Sequence, residues 1–474
     1  MLNLIRENRK KHNKWLILVI TSVSTFMATL DGSIVNIALP GMAQSLGTDI
    51  RSIQWVITSY LLTISLLLLM WGKLADSHGN KRFFSGGFLV FALGSAMCAF
   101  SGSLELLVIS RVVQAVGASS MMALSQGIVT QAFEPHERGR ALGLIGTMVA
   151  LGSLTGPSLG GLLLAMFSWK AIFLINIPIG LLGCVFAVLI LPESARSVSD
   201  KAFDFTGFGI LAATLSAFFL GLLFTQEGKL PTYMLLPSVL VFAAGLTLFI
   251  RKEKRTENPL ISLGLFKSPV FSTGLLAALF SFIVISSILL FMPFYLQSLL
   301  GFSPLKAGLV ISVYPITTAF VAPLSGWLSD KLTFRPLTIA GMGAACLALV
   351  AMLTFNKTTH IAFIIPILML FGAGVAMFQS PNSSSVMGAV ERSKLGIAGG
   401  INALSRNLGL VSGNTFSILL FSFTAKTDMN AVSSGGFESG SFLTGFHAVI
   451  LFTAICAGVT MLLSVSRKST LQFD

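Results

Sequence analysis

The chain has 474 residues, 54% of them hydrophobic and only 10% charged, with a mean hydropathy of +0.86. A soluble domain holds about 25% charged residues, so this composition excludes an ordinary soluble enzyme or binding module and describes a polytopic, all-α membrane protein. The net charge of +13 then reads as loop topology and not as affinity for nucleic acid.

Fourteen apolar segments follow in chain order, at 15–39, 54–72, 83–101, 105–130, 140–165, 170–191, 206–224, 233–250, 270–299, 305–328, 337–355, 360–387, 395–422 and 442–464. Most have the ~20 apolar residues that cross a hydrocarbon core of about 30 Å. Helices are expected throughout, because backbone polar groups in lipid must be satisfied within the segment. The N-terminal stretch leads into a span too long for a cleavable signal core. Of the 31 Lys and Arg, 23 fall on the side of the termini, 6 on the other and 2, Arg111 and Arg406, inside spans. That bias predicts two cytoplasmic termini in a plasma-membrane protein. Cys98, Cys184, Cys346 and Cys456 all lie in apolar stretches. They read as small core residues and not as a disulfide or metal set; no cofactor is expected.

The first span carries Asp31, the one carboxylate deep in hydrocarbon. Its insertion cost of roughly 2.5–3.5 kcal/mol marks a functional group. The second span ends Gly72…Asp76, followed by Gly79, Lys81 and Arg82. A glycine one turn before an aspartate lets another helix approach, and Asp76 can then meet a helix N-terminus or an arginine. This predicts a conformational latch. The fourth span carries Arg111 at a depth comparable to Asp31, so the two can pair directly or through water. The fifth carries Gly152, Gly156, Pro157, Gly160 and Gly161, a bare stripe with a proline kink, expected to pack between two halves of the molecule.

The pattern then repeats. Gly72…Asp76 recurs as Gly326…Asp330, and Gly143, Gly152 and Gly156 recur as Gly400, Gly409 and Gly413. This predicts an N-terminal six-helix bundle (1–195), an inserted transmembrane hairpin with its linkers (196–264) and a C-terminal six-helix bundle (265–474). Duplicated halves around a midplane site are a transporter signature. No Ser/His/Asp set, zinc spacing or Walker lysine appears, so an enzyme is not expected and any pumping must draw on an ion gradient.

The segments LDGSIVNIALP (Leu30–Pro40), GKLADSHGNKR (Gly72–Arg82), RVVQAVGASS (Arg111–Ser120), GSLTGPSLGG (Gly152–Gly161) and WKAIFLINIPIG (Trp169–Gly180) together resemble the major facilitator superfamily, in particular its fourteen-helix drug/proton antiporters of the multidrug efflux type. The resemblance implies two six-helix bundles plus a two-helix insertion and a monomer working by alternating access. It implies that Arg111 sets the proton affinity of Asp31, and that the glycine stripe belongs to exporters. The expected partners are protons, membrane lipid and a small amphiphilic substrate, drug or lipid. The candidate substrate residues are Asp31, Gln114, Tyr295, Gln379, Asn382 and Arg406. One deep acid matches one positive charge, so monocationic, zwitterionic or neutral lipophilic substrates are expected.

Overall fold

The computed structural model describes residues 2–193, 203–226, 235–426 and 438–467, and it is helical throughout. Fourteen long helices follow in order: α1 Leu2–Ser45, α2 Trp55–His78, α3 Asn80–Ala99, α4 Leu104–Ala132, α5 Arg138–Met166, α6 Asn176–Ile190, α7 Phe205–Gln226, α8 Leu235–Arg255, α9 Pro269–Phe294, α10 Val313–Leu332, α11 Phe334–Met352, α12 Ile361–Gly388, α13 Leu395–Ala425 and α14 Ser439–Ser466. Among the described residues, thirteen are long and apolar enough to cross a membrane. The fourteenth expected segment, α8, is helical too, but it runs into the charged stretch Arg251–Arg255 and falls short of that measure.

Helix starts follow local chemistry. Ser103 and Ser268 accept hydrogen bonds from the backbone N–H groups of Leu106 and Phe271, and Pro269 fills the first helical position of α9. Each serine satisfies an otherwise orphaned donor of the first turn.

The chain divides into two compact units. One holds Met1–Gly209, Glu253–Leu263 and Met387–Leu404; the other holds Ile210–Lys252, Gly264–Val386 and Ser405–Asp474. Most of the inserted hairpin thus groups with the second unit, and the first turns of α13 group with the first.

The duplication is visible as packing. A Cβ on Gly117 would lie 2.5 Å from the Gly87 carbonyl and 2.4 Å from the Phe91 nitrogen. A Cβ on Gly374 would lie 2.5 Å from the Gly341 carbonyl and 2.6 Å from the Ala345 nitrogen. The α3–α4 and α11–α12 pairs therefore touch backbone to backbone at matching positions. Gly152 and Gly156 pack on α1 at Phe26, Thr29 and Ser33, while Gly409 and Gly413 pack on α9 at Leu279, Phe282 and Ser286. The stripe expected between the two halves thus meets α1, inside the first unit. Gly160 meets Ile34 of the same helix, and Gly161 faces open space. The Pro157 side chain lies outside what the structure describes.

Candidate functional site

The close seat of α5 on α1 surrounds Asp31 with protein. The residue is fully buried, as are Arg111 and Gln114 of α4. Arg111 Nη1 donates to Asp31 Oδ2 at 2.5 Å. Gln114 Nε2 and Asn176 Nδ2 both donate to Asp31 Oδ1, at 2.8 and 3.0 Å. Three donors from α4 and α6 therefore hold one carboxylate of α1.

The donors are themselves oriented. Gln114 Oε1 accepts from Arg111 Nη1 at 2.6 Å, and its Nε2 also reaches Ser95 Oγ at 2.8 Å. Its amide cannot turn without breaking several bonds. Arg111 Nε donates to the Val56 carbonyl of α2 at 3.0 Å. The guanidinium lies over the Tyr60 ring at 3.9 Å and over the Phe173 ring at 5.7 Å. Such cation–π stacking suits a desolvated arginine. Asn176 begins α6 just after a break in the helix at Ile175, which lets one short segment bring both Phe173 and Asn176 to the ion pair. Arg111 Nη2 and Asn176 Oδ1 are buried without a hydrogen-bond partner.

The expected Asp31–Arg111 pair is thus present as a direct contact. Sequence reading missed Asn176, Tyr60 and Ser95. The one signal for Asn176 was an amide inside the apolar run IFLINIPIG. No spacing relates it to residue 31.

Two of the expected latch residues, Gly72 and Asp76, meet the start of α13. Asp76 Oδ1 and Oδ2 accept from the backbone N–H groups of Gly396 and Ile397, at 2.7 and 2.9 Å. These donors belong to the first turn of α13, where a carboxylate also meets the positive end of the helix dipole. Gly72 makes room, since a Cβ there would lie 2.5 Å from the Gly396 carbonyl. Lys73, one residue on, donates to Asn258 Oδ1 at 3.1 Å and the Pro259 carbonyl at 2.8 Å, which ties the segment after α8 to the same helix end. Gly79 has φ +98° between α2 and α3. Lys81 and Arg82 make no ion pair with a described residue; with Gly79, Ser77, His78, Ser85 and Glu193 they line an open groove of about 430 Å³. Asp330, the second copy of Asp76, is half-buried near the end of α10.

Four of the six candidate substrate residues are buried and engaged by protein. Asp31 and Gln114 belong to the network above. Tyr295 is buried, donates to the Asn356 carbonyl at 2.9 Å and stacks between Phe355 and Phe446, at 5.3 and 4.9 Å. Asn382 is buried, accepts from Arg467 at 2.7 Å and donates to the Gly274 carbonyl at 3.2 Å. Arg467 also donates to the Thr273 carbonyl at 3.1 Å. Burial pushes its guanidinium down to about 10, so it stays charged at neutral pH and ties α14 to α9 and α12. Gln379 and Arg406 differ: both keep part of their surface accessible, and neither makes a hydrogen bond or ion pair with a described residue. Among the described residues no group of three or more His, Cys, Asp and Glu is placed to hold a metal.

The sequence pattern of the Major Facilitator Superfamily matches residues 21–414. The chain belongs to this superfamily. It is 35% identical over 403 residues to the riboflavin transporter RibZ of Clostridioides difficile (strain 630), covering 85% of this chain and 87% of that one. It is 31% identical over 405 residues to the multidrug resistance protein Stp of Mycobacterium tuberculosis (strain CDC 1551 / Oshkosh), covering 85% and 75%. It is 30% identical over 401 residues to the tetracenomycin C resistance and export protein of Streptomyces glaucescens, covering 83% and 73%. The fold is shared with the human organic anion transporter MFSD10, with a TM-score of 0.67 at 16% identity over 95% of this chain and 99% of that one. It is also shared with the proton:xylose symporter XylE, with a TM-score of 0.65 at 15% identity over 94% and 95%. This membrane protein is therefore a facilitator-type transporter of small molecules with multidrug exporters among its relatives.

Proposed function

We propose that this superfamily member is a proton-coupled antiporter that exports amphiphilic small molecules by alternating access, from a plasma membrane in which both termini are cytoplasmic. One observation carries the reading: a carboxylate buried within a membrane span and held by three donors, one of them a buried arginine. As a carboxylate, Asp31 only accepts, and every contact around it donates. A proton arriving on Asp31 turns one acceptor into a donor and removes the countercharge of Arg111. Breaking a buried ion pair costs about 3–5 kcal/mol. Protonation therefore favours a rearrangement that gives the guanidinium a new environment, and loss of the proton restores the pair. That is the coupling an antiporter needs.

The Asp76 contact with the first turn of α13 supplies the conformational latch in this reading. It forms only while the ends of α2 and α13 meet, so releasing it belongs to the opening step. The names of two relatives, a multidrug resistance protein and a resistance and export protein, support export of amphiphiles. The riboflavin transporter among the relatives supports a second reading, in which the substrate is a planar metabolite rich in hydrogen-bond acceptors.

The test is proton-driven transport in reconstituted vesicles with an imposed pH gradient. Asp31→Asn keeps the shape of the side chain and removes its titration. It is expected to abolish pH-driven transport while the protein still inserts and binds substrate. Full pH-driven activity in that variant would remove Asp31 from the mechanism.

A further inference from the structure

Among the described residues, three charged side chains lie well inside the spans: Asp31, Arg111 and Arg406. The first two neutralise each other in a fully buried pair, and both oxygens of Asp31 are already occupied by donors. Asp31 in this arrangement has no free face to offer a cationic substrate. The third charge is of the opposite kind. Arg406 makes no hydrogen bond or ion pair with a described residue and keeps part of its surface accessible. A guanidinium offers five N–H donors in a planar fork that fits carboxylate and carbonyl oxygens, and it cannot give up its proton. Left unpartnered within a membrane span it is costly.

Gln379 of α12 is the other accessible polar candidate without a described partner. It lies nine residues before Gly388, the end of α12, and Arg406 lies eleven after Leu395, the start of α13. At 1.5 Å per residue these are heights of about 14 and 16 Å from the 389–394 connection. The internal repeat shows that packing does not demand them. The offset of 257 that relates Gly117 to Gly374 and Gly152 to Gly409 places Met122 and Val149 at the counterpart positions in the first copy. Hydrocarbon serves there, and a fixed cation and an amide stand here.

We propose that Arg406, with Gln379 at matching depth, receives the acceptor-rich end of the transported molecule, so that the substrate is a neutral or singly anionic amphiphile bearing carbonyl or carboxylate groups and not a cation. This rests on the reading of the chain as a transporter and adds the charge class of its cargo. It departs from the sequence-based expectation of a monocationic, zwitterionic or neutral substrate, because Asp31 is fully buried and held by three protein donors.

The experiment is equilibrium binding at neutral pH to the purified full-length protein in lipid nanodiscs. The probes are three naphthalene compounds of matched size, carrying a carboxylate, a carboxamide or a trimethylammonium head. The carboxylate is expected to bind at least tenfold tighter than the trimethylammonium, with the carboxamide between them. Arg406→Gln is expected to erase that preference, weakening the carboxylate about tenfold and leaving the trimethylammonium within about twofold. Arg406→Lys keeps the charge and is expected to restore part of the preference, which a purely structural role for the arginine would not produce. Tightest binding of the trimethylammonium probe, no binding of any probe, or an unchanged order in a folded Arg406→Gln protein would overturn the proposal. Proton-driven transport by the unsubstituted protein in vesicles is a separate measurement. A cation-first order with proton coupling intact sinks only the Arg406 assignment, and an acceptor-first order without pH-driven transport sinks only the antiport reading.

Discussion

The two copies of the repeat share a scaffold and divide the chemistry. In the first, α4 seats on α3 through Gly87 and Gly117, and α5 seats on α1 at Thr29 and Ser33. In the second, α12 seats on α11 through Gly341 and Gly374, and α13 seats on α9 at Phe282 and Ser286. Taking those contacts as the register, Asp31 corresponds to Val284, Arg111 to Leu368 and Gln114 to Phe371, all of them buried. The scaffold thus folds with hydrocarbon where the first copy keeps an ion pair. Replacing a buried pair by packed apolar residues is often neutral for stability. In the reading proposed above, a pair present in one copy and absent from the other is there for what it does. Conversely, Arg406 and Gln379 stand in the second copy where the first has Val149 and Met122. One copy would hold the proton, and the other would read the cargo.

The largest expected effect tests whether the pair is dispensable for folding. Arg111→Leu leaves the Asp31 carboxylate buried without its countercharge, and a loss of about 3–5 kcal/mol is expected. Asp31→Val combined with Arg111→Leu installs the residues of the second copy. That double variant is expected to recover about 2 kcal/mol of the loss, a coupling within the range of contacting residues, while remaining dead in pH-driven transport. Equilibrium unfolding in mixed micelles measures both. A double variant no more stable than Arg111→Leu would show that the first copy needs its charges structurally, and the division of labour would fail.

The latch tests the next level. Asp76→Ala removes two carboxylate-to-backbone hydrogen bonds at the start of α13. Hydrogen bonds to charged groups contribute about 1.5–3 kcal/mol. A shift of at least about tenfold in the balance of conformations is therefore expected, read as a changed labelling rate of a reporter cysteine near residue 396. Labelling at the wild-type rate would mean that the contact does not bias that balance.

The backbone contacts give the symmetric control. Gly117→Ala and Gly374→Ala each drive a Cβ into the facing helix, at 2.4 Å from Phe91 N and 2.5 Å from Gly341 O respectively. Overpacking of this kind costs about 1–3 kcal/mol, and the two costs are expected to agree within about 1 kcal/mol. Sensitivity in one copy alone would break the equivalence on which the comparison rests.

How much of this the sequence disclosed depended on contrast. Asp31, Arg111 and Arg406 are legible because a charge in an apolar run has few explanations. The Asp31–Arg111 pairing followed from equal depth. Asn176 stayed hidden because a neutral amide in a span is ordinary, and its partner is 145 positions away. Arg467 stayed hidden because a basic residue at the end of the last span already satisfies the topology rule. The structure shows it tied to Asn382, which therefore looked more available than it is. The glycine stripe was visible but its partner was not: spacing shows that a helix face is bare, not which helix fills it.

The smallest expected effect lies where the repeat is imperfect. Gly79, between α2 and α3, has φ +98°, and Thr333, at the same point between α10 and α11, has φ +121°. Glycine adopts positive φ freely, whereas a β-branched residue there is a conformational outlier. The second copy kept the turn and lost the residue suited to it. The turn is held because α10 and α11 must reverse direction at the point that brings Gly341 onto Gly374. Residues held in such sparsely populated regions cost of order 1–3 kcal/mol. Part of this is offset on substitution, since glycine is also freer in the unfolded chain. Thr333→Gly is therefore expected to stabilise the protein by about 1 kcal/mol, and Gly79→Thr to destabilise it by at least as much. Unfolding midpoints of the two variants in the same micelles decide the matter. A Thr333→Gly protein less stable than the parent would mean that the threonine makes contacts outweighing its strained backbone, and that the two loops are alike in path but not in what holds them.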